Sequence, residues 1–156
     1  MNIQPNTFIT QPMTSTLDGT RKFGLFLNKI LAGIKMFHWY SLNYNFHTVT
    51  DDLHKGLSKL VDTLIEELIE VVRSQNIPFE LNLPEIQNFE NCQTYQPELQ
   101  SFSSKYNEIS YALLQVLNSP EFTDFTQKSI SGINNVKEEI VSLLNKTSYL
   151  LNQIKE

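Results

Sequence analysis

The chain has 156 residues and a mass of 18.1 kDa, with 17 acidic against 12 basic side chains and a net charge of −5, which argues against non-specific nucleic-acid binding as its main activity. With 40% hydrophobic and 11% aromatic residues it is too apolar for a disordered chain, and its 5 Gly and 6 Pro exclude collagen-like or linker composition. One domain is expected at this length, and the single cysteine, Cys92, forms no internal disulfide, which favours a reducing compartment.

Residues 1–16 are polar, carry Pro5 and Pro12 and show no periodicity, so an extended N-terminal arm is expected there. Met1-Asn2-Ile3-Gln4-Pro5-Asn6 lacks the basic and apolar regions of a secretory signal. No run approaches the ~18–20 apolar residues needed to span a bilayer. A soluble, cytoplasmic protein without membrane partners is therefore expected.

Residues 17–156 read as one all-α domain. Thr16 or Asp18 is placed to cap a first helix over 18–43, whose apolar positions Phe23, Phe26, Leu27, Ile30, Leu31, Ile34, Phe37 and Leu42 recur in steps of three and four. Asn43-Tyr44-Asn45 interrupts it. A second helix over 48–75 carries Leu53, Leu57, Leu60, Leu64 and Leu68, and so short a break makes an antiparallel helical hairpin. Ile77 to Pro97, with three prolines, reads as a long crossover holding one helical turn near Glu85–Glu90. A third helix spans 98–118. Ser119 and Pro120 then cap and start a fourth over 121–154. The sum is a four-helix bundle with a long crossover between helices two and three.

All three histidines, His38, His47 and His54, fall in one stretch beside Asp51, Asp62 and Glu66. Imidazole and carboxylate ligands suit iron, manganese or zinc. His47 and Asp51 are four residues apart on helix two, as are Asp62 and Glu66, so each pair can converge on an ion. Asp51 and Asp62 lie only about 20° apart around the helix but roughly 16 Å apart along it. One ion cannot touch both pairs within a chain. Two copies packing these helices antiparallel about a two-fold would bring His47/Asp51 of one against Asp62/Glu66 of the other and create two identical sites. The plainer alternative is that these carboxylates face water, that His38 is a core histidine bonded to a carbonyl, that Trp39 is core, and that Glu67 and Glu70 form a solvated face.

Phe37-His38-Trp39, Tyr44-Asn45-Phe46-His47, and then Leu53, Leu57, Leu60, Asp62 and Glu66 resemble the first hairpin of ferritin-like proteins, the mini-ferritin (Dps-type) branch above all. The chain is also similar to short ferritin-like proteins of phages and large DNA viruses, which end like Lys146-Thr147-Ser148-Tyr149-Leu150-Leu151. The resemblance covers residues 25–72, and 120–154 more loosely. It implies a ferritin-like bundle, a homo-oligomer, and a metal site between two subunits built from His38, His47, Asp51, Asp62 and Glu66. His38 would be an outer ligand, Glu66 would bridge a second ion, and Trp39, Tyr44 and His54 would be auxiliary.

Two departures from the family pattern stand out. His38 lies closer to His47 than in mini-ferritins, and no Glu-x-x-His is present. The Lys-rich arm with which some mini-ferritins hold DNA is also missing, since residues 1–20 contain no Lys or Arg, so nucleic acid is not an expected partner.

The function expected on these grounds is iron binding with ferroxidase-like oxidation or sequestration of Fe(II). The competing expectation is a non-catalytic structural or interaction protein on the same bundle, for example a viral particle component located in the virion.

Overall fold

A computed structural model describes the backbone of residues 5–86 and 99–154 and the side chains of residues 17–86 and 104–154. Among the described residues the protein is all-helical: α1 Pro5–Tyr40, α2 Tyr44–Gln75, α3 Leu99–Leu117, α4 Pro120–Lys128 and α5 Ile133–Gln153. None of these helices is long and apolar enough to cross a membrane.

α1 starts earlier than expected. The backbone is helical from Pro5, where an extended arm is expected up to residue 16, and Thr16 and Asp18 lie inside the helix instead of capping it. Pro5 sits at the first helical position, where its missing N–H costs nothing. Extending an existing helix also avoids the unfavourable nucleation step, so the polar segment continues it even through Pro12, which lacks the N–H that an interior position would donate. Asp18 instead faces Lys22 at 3.1 Å and Arg21 at 3.7 Å on the next turn.

α1 ends at Tyr40 and α2 begins at Tyr44, both a few residues earlier than the periodicity suggests. The reason is a cap: the Asn43 side chain accepts from the backbone N–H of Asn45 at 2.9 Å and of Phe46 at 3.3 Å. α2 stops at Asn76, whose φ of 53° places it in the left-handed region that Asn tolerates better than most side chains. Leu53, Leu57, Leu64 and Leu68 form its fully buried stripe, against α1 on one side and α5 on the other. A Cβ on Gly56 would meet Leu143, while eleven residues further along α2 Glu67 meets Gly132, eleven residues back along α5. α5 therefore runs antiparallel to α2.

The expected fourth helix is two. Residues 129–132 separate α4 from α5, because Ser129 and Ser131 turn their hydroxyls toward backbone groups (Ser129 Oγ to the Thr126 carbonyl at 3.3 Å, Ile133 N–H to Ser131 Oγ at 3.4 Å) and Gly132 follows. Ser119 and Pro120 do open α4, with Ser119 Oγ accepting from Phe122 N–H at 3.2 Å. α3 packs on α4 and α5, and Tyr106 donates from its hydroxyl to the Leu144 carbonyl at 2.5 Å. Burial pushes the Tyr106 phenol up to about 12.

Residues 76–86 are not helical, so Glu85 and Ile86 take no part in the expected turn; residues 87–90 lie outside the described residues. This segment nonetheless inserts Phe79 into the core, where its ring packs at 4.9 to 6.2 Å from those of Phe23, Phe122 and Phe125. The insertion is possible because α1 carries Gly19 at the crossing, where a Cβ would lie 1.5 Å from the Phe79 carbonyl oxygen. Gly19→Ala should therefore destabilise the fold by about 1–3 kcal/mol despite alanine's better helix propensity, and Phe79→Ala by about 3–5 kcal/mol. Urea unfolding monitored by circular dichroism measures both, and an unchanged midpoint for Gly19→Ala would refute the close crossing.

Candidate functional site

His38 lies in the last turn of α1 and His47 in the first turn of α2, so the tight turn between them sets the two rings face to face, with centroids 3.9 Å apart and planes 28° from parallel. Nδ1 of His38 lies 3.0 Å from the His47 carbonyl oxygen, and Nδ1 of His47 lies 3.0 Å from the His38 carbonyl oxygen. A carbonyl only accepts, so both Nδ1 atoms carry the hydrogen. In each neutral ring the lone pair is then on Nε2. The His38 carbonyl is available because α1 ends two residues later, leaving it no amide of its own helix to bind. His38 is thus the buried, carbonyl-bonded histidine of the plainer reading, and at the same time holds its outer nitrogen toward α2.

Asp51, one turn beyond His47, places Oδ1 3.8 Å from His38 Nε2. Its other oxygen accepts from Lys55 Nζ at 2.6 Å. That hydrogen bond holds the Asp51 carboxyl below the ordinary carboxylate value; partial burial works against it, and the charges of Lys55, His38 and Lys35 add to it. The structure therefore brings His38, His47 and Asp51 together. Asp62 and Glu66 stand exposed further along α2 and do not join them. No group of three or more His, Cys, Asp or Glu among the described residues is placed to hold one ion.

Asp62 and His54 instead line an open groove of about 610 Å³ between α1 and α2, with Gly24, Asn28, Leu31 and Lys59. Trp39 is 62% exposed and so is not the core residue of the plainer reading, and Tyr44 is 79% exposed. Glu67 is also not part of a solvated face: its carboxylate lies against Gly132, and Oε2 is buried without a hydrogen-bond partner among the described residues. Lys55 escaped the reading of the sequence, although its position four residues after Asp51 was a visible signal. The reciprocal histidine bonds had no such signal, because they depend on where the turn closes.

In comparisons with family models, curated proteins and solved structures, nothing matches this chain.

Partial burial holds the His54 imidazole below its ordinary 6.5, reinforced by Lys35 and His38 and opposed by Asp51. A histidine with a depressed folded pKa binds fewer protons folded than unfolded. Its contribution is intact above 6.5 and is lost as pH falls from there through the folded value. His54→Gln should therefore lose less stability than wild type on going from about pH 7 to about pH 5, a range that spans the histidine titration. Urea midpoints across that range test this, and parallel curves would reject it.

Proposed function

We propose that the chain is a ferritin-like, metal-binding helical protein that takes iron at a site shared between two copies, for Fe(II) oxidation or sequestration. The observation that carries this reading is the pair of histidines whose Nδ1–H groups are both spent on carbonyls. A metal-binding imidazole is ordinarily oriented in this way, its second nitrogen donating to a backbone carbonyl or carboxylate. Imidazole Nε2 and the Asp51 carboxylate are donor types suited to iron, manganese or zinc and poorly suited to Ca²⁺, which prefers an all-oxygen shell. Within one chain, among the described residues, they form no group of three placed to hold an ion.

One chain supplies too few ligands at that place. Asp62 and Glu66 of a second copy are the natural complement, because they lie on nearly the same stripe of α2 as His47 and Asp51, roughly 16 Å along it. An antiparallel α2 pair would cross through the exposed side of the helix at the level of residues 56–57 and set each His47/Asp51 against the other copy's Asp62/Glu66. His38 would approach from α1, and Glu66 would bridge to a second ion. The groove beside Asp62 leaves room at this face for a neighbouring chain.

A second reading is favoured by the corner itself. Trp39, Tyr40, Leu42 and Tyr44 all expose large apolar surface there, as a protein used for contact would.

His47→Ala and Glu66→Ala should each abolish shared-site metal binding, and mixing the two chains should restore about half the sites in each heterodimer, which is about a quarter of all sites after random one-to-one exchange. In each mixed dimer one site lacks both half-sites and the other is intact. Equilibrium dialysis with Mn(II) measures this. Exchange of chains without recovery would assign each site to a single chain, and variants that bind like wild type would leave the contact reading. Glu138→Gln with Glu139→Gln, on the exposed face of α5, should leave metal binding unchanged.

A further inference from the structure

We propose that Lys55 is a built-in counter-cation of the metal site, which in the metal-free protein pairs with one oxygen of the Asp51 carboxylate and opposes the binding of a divalent ion there. The inference rests on the metal-site reading above and adds a residue that lowers and tunes the site's affinity.

The two Asp51 oxygens are divided between two positive or potentially positive partners. Oδ1 faces His38 Nε2 at 3.8 Å, and Oδ2 accepts from Lys55 Nζ at 2.6 Å. An ion that took both His38 Nε2 and Asp51 would sit within a few Å of the ammonium group. The Lys55 side chain is 72% exposed while that of Asp51 is 27% exposed, so lysine is the partner free to move. It is tethered one helical turn away and finds water at once when it leaves. The displaced ammonium still repels the ion. For a unit and a double charge about 6 Å apart in a water-like medium, the repulsion amounts to about a ten-fold loss of affinity, and salt reduces it. The arrangement keeps a carboxylate that is needed for binding neutralised and positioned when no metal is present. It also favours ions that bind imidazole strongly enough to displace lysine over those that rely on charge alone.

The test is titration of the full chain with Co(II), read by calorimetry and by the visible absorption of the bound ion, using wild type, Lys55→Gln, Lys55→Arg and His47→Ala. Circular dichroism checks that each variant is folded, and exposure of Lys55 makes that the expected result. Lys55→Gln should bind Co(II) about three- to ten-fold more tightly than wild type at low salt, with the advantage shrinking at high salt. Lys55→Arg should stay at or below wild-type affinity. Tight binding by Lys55→Gln where wild type binds too weakly to measure would also support the proposal. Equal or weaker binding by Lys55→Gln, with wild-type binding still abolished by His47→Ala, would overturn the role of Lys55 while leaving the metal site in place. Binding by none of the chains, or binding indifferent to His47→Ala, would overturn both.

Discussion

A helix that ends at Tyr40 and another that starts at Tyr44 leave only Ser41, Leu42 and Asn43 to reverse the chain, and this narrow turn sets how His38 and His47 meet. Asn43 satisfies two of the free amides of α2, and His47 takes up a free carbonyl of α1. Side chains of the turn region thus take up three of the backbone groups that the two helix ends leave free. Closure forces the histidine rings into contact at 3.9 Å and fixes which nitrogen of each carries its hydrogen. Without the turn, His38 and His47 would be two residues of adjacent helices with no defined relation.

α2 is the element on which the other packing depends. One face buries leucines against α1 and α5, and the register with α5 is held by close approaches at both Gly56 and Gly132. The stripe containing His47, Asp51 and Asp62 remains outside that core. Its polar residues are affordable there because hydration, or the neighbouring Lys55, satisfies them. The same division between a fully used apolar face and an unused polar one makes a shared site between two copies physically reasonable. At the other end, Gly19 lets the segment after α2 approach α1 and anchor Phe79 among Phe23, Phe122 and Phe125. That cluster ties α1 to α4, which are far apart in sequence.

The sequence by itself determined that the described residues are all-helical, because apolar steps of three and four run through the segments that became the helices from Phe23 on. It also determined the antiparallel hairpin, through the shortness of the break near Asn43, and the start of α4, because Ser119 and Pro120 are strong local signals. Local patterns could not reveal that the polar segment from Pro5 is helical, since propagation from an adjoining helix decides that, nor that residues 129–132 break the last helix, since Ser and Gly weaken a helix without always ending it. For the candidate site, spacing along α2 placed His47 with Asp51 and separated Asp62 and Glu66 from them, because helical geometry is periodic and local. Tertiary structure decided the rest: the contact of His38 with His47, the fixed tautomers, the exposure of Trp39 and Tyr44, and the burial of Glu67 against Gly132. Each of these depends on how one helix meets another, a distance that no spacing within a single helix encodes.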